Sequence, residues 1–127
     1  MAANIQAYLE NIRQPWGQIY YDILFEQLKD IKGKRVLDFG SGFGLVANYL
    51  AKENQVLAVE PNEEMVALRV QDHPYQQIVG SLDQLAVLED ASFEVILCHN
   101  VLEYVEDCKL VLKEFTRLLK PGGLLSI

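Results

Sequence analysis

Cysteine is scarce in this chain of 127 residues, with Cys98 and Cys108 the only two. One such pair cannot make a disulfide framework, and its spacing lacks the closely set pairs that a zinc site needs. No metal site is therefore expected, and Cys98, inside an apolar run, reads as a small core residue. Long hydrophobic stretches are also missing. Nothing approaches the ~20 apolar residues needed to cross a bilayer. The opening MAANIQAYLENIRQ has neither the basic flank nor the apolar run of a signal peptide. A soluble, cytoplasmic protein is the resulting expectation. Positive charge is in short supply as well: 11 Lys and Arg stand against 18 Asp and Glu, a net charge of −7. That balance disfavours non-specific binding to polyanions, which depends on basic residues.

What is present is enough for one domain with a real core. The first 32 residues read as helices. Ile5, Leu9 and Ile12 form one stripe, Pro15 suits a first helical turn, and Trp16 to Leu28 carries Ile19, Ile23 and Leu24 or Phe25 at helical spacing. After the turn Lys32-Gly33-Lys34 the texture changes. Short runs rich in Val, Ile and Leu at 35–39, 55–60, 76–79, 93–98 and 124–127 alternate with helical segments at 45–52, 62–71 and 109–120. Lys120-Pro121-Gly122-Gly123 supplies the breakers after the last helix. This alternation predicts parallel βαβ units with both sheet faces covered. The final run, Leu124-Leu125-Ser126-Ile127, stops while still apolar. It is expected to be an unpaired edge of an incomplete sheet, open to a partner chain or to self-association.

The segment richest in chemistry is Val36-Leu37-Asp38-Phe39-Gly40-Ser41-Gly42-Phe43-Gly44. A buried strand runs into a turn with glycine at alternate positions, and a helix starts directly after it. Such a turn lets backbone approach a ligand closely, and the helix start offers free N–H groups. Asp38, at the strand's carboxyl end, points an acceptor into the crevice where open α/β sheets bind ligands. Glu60 closes the second strand, where an acid can accept from both hydroxyls of a ribose. Together they predict a nucleoside-containing cofactor. The loop is G-x-G-x-G, not the dinucleotide G-x-G-x-x-G, because Leu45 stands at the sixth position. An acid at Asp38 would also sit badly beside a pyrophosphate, whereas it suits the ammonium of an amino acid. S-adenosyl-L-methionine is favoured over NAD.

With these residues in view, the chain resembles the class I S-adenosylmethionine-dependent methyltransferases over roughly residues 33–127. Asp38–Gly44 is similar to the family's first motif and Val59-Glu60-Pro61-Asn62 to its second. Gly80-Ser81-Leu82-Asp83 is similar to the stretch that closes over the adenine. Phe93–Val105 resembles the fourth-strand motif, and Leu118–Gly123 the approach to the fifth strand. The resemblance implies a doubly wound, Rossmann-like parallel sheet of order 3-2-1-4-5, with the family's sixth and seventh strands absent and residues 1–32 capping the cofactor. It implies that Gly40, Ser41, Gly42 and Gly44, with Asp38, surround the methionine end, and that Glu60 takes the ribose hydroxyls. Pro61, Asn62 and Met65 would flank ribose and adenine, and Ser81 and Leu82 would meet the adenine edge. Backbone around Cys98 and His99 would accept from the ammonium.

Plainer roles compete for several of these positions. Met65 and Leu68 can be core, Ser81 can cap the short helix that follows, and His99 can be a satisfied polar residue at a strand end. His73, before Pro74, reads as exposed. Glu103 reads as a solvated helix residue sooner than a general base. Trp16, Tyr20 and Tyr21 fit a lid or plain helix packing equally well. The sequence assigns no catalytic residue and no acceptor. A small molecule is the first candidate, and Leu102-Glu103-Tyr104-Val105 resembles members that modify tRNA. The competing functions are a non-catalytic S-adenosylmethionine-binding module completed by another chain and a nicotinamide oxidoreductase.

Overall fold

The computed structural model describes residues 5–99 and 108–127. Two helices, α1 (Ile5–Arg13) and α2 (Pro15–Leu28), precede β1 (Arg35–Phe39), α3 (Leu45–Ala51), β2 (Gln55–Glu60) and α4 (Glu63–Ala67). β3 (Gln76–Val79), α5 (Leu82–Leu85), β4 (Phe93–Leu97), α6 (Cys108–Leu118) and β5 (Leu119–Ser126) complete the order. The five strands form one sheet in the order β3-β2-β1-β4-β5, and every pairing is parallel.

Side chains alternate between the two faces of a strand, and each face of this sheet carries its own core. Leu37, Phe39, Leu57, Val59, Ile96 and Cys98 pack with Leu85 of α5 and with Val111, Phe115 and Leu118 of α6. Val36, Val56, Ala58, Val95 and Leu97 point the other way, toward Leu24 and Leu28 of α2 and Ala47 and Leu50 of α3. The middle of the sheet is thus buried on both faces, which explains strands that read as continuous apolar runs. α2 is fastened to α3 by Phe25 stacking on Tyr49 at 4.3 Å and by the Tyr49 hydroxyl donating to the Phe25 carbonyl.

Three elements depart from the sequence expectation. α2 buries Leu24 and Leu28, while Ile19 and Ile23, expected on its inner stripe, are more than half exposed. The Phe25–Tyr49 stack sets the helix rotation and turns them outward. α4 stops at Ala67, short of residue 71, because the chain then turns back and the Val70 N–H donates to the Phe43 carbonyl at 2.8 Å. α6 stops at Leu118 and β5 begins at once: Leu119 pairs with Phe93, and the next pair is Leu124 with Val95. Lys120-Pro121-Gly122-Gly123 bulges between those pairs, with Gly122 in the left-handed region at φ +79°, where a residue without Cβ is at ease.

Phe115 is fully buried and meets Phe39 edge-to-face at 5.5 Å. Phe115→Ala should cost about 3–5 kcal/mol through lost burial and the cavity left behind. Urea denaturation measures this, and a loss below about 1 kcal/mol would contradict the packing described.

Candidate functional site

The strand order reverses beside β1: the chain runs outward through β2 and β3, then returns to the other side of β1 as β4. A crevice opens at the carboxyl ends where the order reverses, and open α/β sheets bind ligands there. Asp38 lies at this point, in register with Ala58 of β2 and Leu97 of β4.

The glycine turn that follows is tied down by backbone. The N–H groups of Gly40 and Ser41 both donate to the Val59 carbonyl, at 2.7 and 3.1 Å, and Gly44 N–H donates to the Ser41 carbonyl at 2.9 Å. Two of its glycines serve different ends. Gly42 has φ +55°, and a Cβ there would stand 3.2 Å from the Met65 methyl, at the mouth of the crevice. Gly44 has φ +79°, and a Cβ there would run into the Tyr75 hydroxyl. Packing against Tyr75 is therefore enough to explain Gly44.

Glu60 closes β2, buried, with both carboxylate oxygens engaged. Oε1 accepts from Gly42 N–H and Oε2 from Asn62 N–H, each at 2.9 Å. One side chain thereby joins the glycine turn to the start of α4. Its remaining lone pairs are free for further donors, since a carboxylate offers about four acceptor positions. Asn62 caps α4, its side-chain oxygen accepting from the N–H groups of Glu64 and Met65. Pro61 between them is exposed.

Asp38 is as buried as Glu60 but not as well satisfied: its Oδ2 has no hydrogen-bond partner. Burial first, and the nearby Glu60 carboxylate second, push its pKa from 3.8 up to about 7. The folded chain therefore holds a proton on Asp38 between those values, where the unfolded chain has released it. Stability from this group is present below about pH 4 and is lost as pH rises toward 7. A cation placed beside Oδ2 would remove that cost. Asp38, Gly40, Ser41, Gly42 and His99 line a cavity of about 50 Å³, closed on the α2 side by Tyr20, Tyr21 and Leu24. Trp16 is 63% exposed and does not line it.

Of the other residues the sequence points to, Ser81 precedes α5 without capping it through its side chain. Its N–H donates to Asp83 Oδ1, and Leu82 packs against the α6-side core. Cys98 is fully buried there, with its thiol pushed up to about 12 by burial and by Asp38. That makes it inert as a nucleophile, and its N–H donates to the Ser126 carbonyl. His99 is half-buried, its Nε2 2.8 Å from Ser126 Oγ, and desolvation lowers its pKa. His73 is partly buried, not exposed, because its N–H donates to Asn48 Oδ1. Glu103 and Tyr104 lie outside the described residues.

Two participants were not singled out from sequence. Gln77 reaches from β3, its Nε2 3.4 Å from both Ser41 Oγ and the Ala58 carbonyl and 3.2 Å from the Ile78 carbonyl. Its Oε1 is buried without a partner. A polar pair, Gln76-Gln77, inside a short strand is the signal that could have found it. Ser126 sits in the sequence within an apolar run that gives no sign of a polar role. No metal-binding cluster occurs among the described residues, and no helix there is long and apolar enough to cross a membrane.

Residues 37–127 match the family described as a methyltransferase domain. The chain belongs to this methyltransferase-domain family. It is 35% identical over 105 residues to a ubiquinone biosynthesis O-methyltransferase of Xanthomonas oryzae pv. oryzae, covering 77% of this chain and 44% of that protein. The chain thus spans less than half the length of the curated relatives it matches. A solved protein of Methanococcus maripaludis superposes with TM-score 0.77 at 21% identity, covering 95% of this chain and 61% of its own, which shows the fold. An S-adenosylmethionine-dependent methyltransferase of Mesorhizobium loti superposes at 0.69 with 28% identity, over 81% of this chain and 50% of its own. Methyltransferase family and fold together imply binding of S-adenosyl-L-methionine.

Asp38→Asn should raise the stability of the cofactor-free chain relative to wild type, and more at pH 8 than at pH 5. Linkage puts the difference between the two pH values at roughly 2–4 kcal/mol. Denaturant unfolding at both pH values checks this, and an equal effect at each would mean Asp38 ionises normally.

Proposed function

We propose that this chain holds S-adenosyl-L-methionine across the carboxyl ends of β1 and β2, and that the protein it forms transfers the methyl group to a hydroxyl oxygen. The observation that carries the cofactor reading is the partnerless, buried Oδ2 of Asp38 beside the glycine turn. A ligand with an ammonium group fits it, and a pyrophosphate does not.

In this reading Asp38, with Gly40, Ser41 and Gly42, faces the methionine portion. Glu60 accepts the ribose hydroxyls with the lone pairs left over from Gly42 and Asn62. Pro61, Asn62 and Met65 border the ribose and adenine, with Met65 adding apolar contact. Ser81 and Leu82 stand at the adenine edge, and backbone at Cys98 and His99 accepts from the ammonium. Gly44 keeps the turn compact against Tyr75. The bound cofactor supplies a methyl group already activated on a sulfonium. The protein's share is then orientation: holding an acceptor close and in line supplies much of the rate.

An oxygen acceptor is supported by the printed function of the curated relatives, which are O-methyltransferases. The net charge of −7 fits a small molecule better than a nucleic acid. Family and fold lend nothing to the two competing functions, a non-catalytic module and a nicotinamide enzyme.

Calorimetric titration with S-adenosylhomocysteine, with NAD as control, tests the cofactor reading. The first should bind and the second should not. Glu60→Ala should weaken binding by roughly ten- to a hundredfold, as expected for charge-assisted hydrogen bonds worth about 1.5–3 kcal/mol. Unchanged affinity would remove Glu60 from the site.

A further inference from the structure

Beyond the crevice, a cavity of about 280 Å³ adjoins it beside α2 and shares Tyr20, Leu24 and His99 with it. A larger groove, of about 840 Å³, lies at the opposite end of the sheet. It passes the amino ends of four strands, marked by Arg35 of β1, Gln55 of β2, Gln76 of β3 and Glu94 of β4. This end of the fold collects positive charge. Lys34, Arg35 and Lys52 line the groove, Lys32 reaches its Glu53 at 3.8 Å, and Lys120 reaches its Glu94 at 3.9 Å. Five cations thus surround two carboxylates, an excess of three, in a chain whose net charge is −7. The remainder of the chain is more negative still.

The two acids do not neutralise this cluster. Glu94 is shared: its Oε2 lies 3.6 Å from Lys34 Nζ and its Oε1 3.9 Å from Lys120 Nζ, while Oε1 also accepts from Arg35 N–H. Arg35 and Lys52 have no carboxylate partner among the described residues. Each stands on an aromatic ring instead, the Arg35 guanidinium 5.1 Å from the Phe93 centroid and the Lys52 ammonium 5.5 Å from that of Tyr49. A ring under one face fixes where the cation stands and leaves the guanidinium's N–H edge open to a planar anion. Lys52 has an ordinary reason for its place, since it ends α3, where the helix dipole favours a cation. That does not account for Arg35, or for three lysines crowding two acids.

We infer that this groove docks a short acidic peptide segment of a partner protein, with Asp or Glu carboxylates of that segment held by Arg35 and Lys52. The long, exposed pairs that Glu53 and Glu94 make contribute little stability, so incoming carboxylates can take over their lysines at small cost. Charge balance selects the class of partner. A nucleic acid carries one charge per about 1.7 Å of duplex, so its phosphates run past the groove onto a surface that repels them. A peptide with a few acids keeps its charge within the groove. Gln55 and Gln76 offer side-chain amides to its backbone, and Val56, Pro74 and Tyr75 offer apolar wall between its acids. Docking there leaves the crevice at the carboxyl ends open, and the inference does not rest on the methyl-transfer reading.

The test is fluorescence anisotropy of fluorescein-labelled hexaglutamate titrated with the whole chain, with labelled hexaglutamine as the neutral control. Hexaglutamate alone should bind at low ionic strength, and it should weaken as salt is added. Arg35→Gln combined with Lys52→Gln should lower affinity about tenfold, the modest effect expected of exposed charge pairs. Lys109→Gln combined with Lys113→Gln removes the same charge from exposed positions of α6 and should change affinity less than about twofold, since screened charges elsewhere count for little. In the wild-type chain the amide ¹H–¹⁵N shifts of Gly33, Asn54, Gln55 and Gln76 should move while those of Gly40 and Gly42 stay, a reading that needs no variant. Failure of hexaglutamate to bind, equal binding of hexaglutamine, the same affinity change in both double variants, or shifts confined to the glycine turn would overturn the assignment. Displacement of the peptide by an equal concentration of inorganic phosphate would overturn it in favour of a small-anion site, and tighter binding of a labelled oligothymidylate would do so in favour of a nucleic acid.

Discussion

Asp38 and Glu60, the two buried acids among the described residues, end adjacent parallel strands. Both are costly to bury, because a carboxylate out of water must recover its hydration through hydrogen bonds or a counter-charge. Glu60 recovers it from two backbone N–H groups and in doing so joins the glycine turn to α4. Asp38 does not, and it sits close enough to Glu60 for the two to repel. A fold that retains such a pair has built one satisfied anchor and one unsatisfied acceptor into a single crevice. The anchor shapes the turn, and the acceptor asks for a cation.

The rest of the architecture serves that crevice. Parallel strands covered by helices on both faces leave their carboxyl ends as the place where polar side chains can emerge. The reversal of strand order beside β1 makes room there. Gly42 keeps the turn thin enough for a ligand and for Met65 to come close, while Gly44 is required by Tyr75 beneath it. α2 closes the crevice with Tyr20, Tyr21 and Leu24 and forms one wall of the neighbouring cavity. His99, just past β4, lines both compartments, and Ser126 of β5 lines the neighbouring one.

Most of the sheet could be read from sequence because its central strands are short, apolar on both faces and separated by helical segments. The sheet order came with the resemblance carried by Asp38–Gly44 and Val59–Asn62, motifs that can be recognised from a few adjacent residues. What sequence did not disclose was decided by distant contacts. Nothing in the spacing of Ile19 and Ile23 says that Phe25 will stack on Tyr49 and turn them outward. The early end of α4 depends on the Phe43 carbonyl, many residues away. Gln77 and Ser126 looked like strand filler, because their polar partners lie on other elements.

The central claim is that Asp38 is held protonated until a cofactor ammonium arrives. Calorimetric titration of the chain with S-adenosylhomocysteine at pH 6.5, in two buffers of different ionisation enthalpy, measures protons exchanged on binding. With a free-state midpoint near 7, binding should release a substantial fraction of a proton, and Asp38→Asn should abolish that release. Binding with no proton exchange in the wild-type chain would show that Asp38 is already ionised and paired, and would contradict the account.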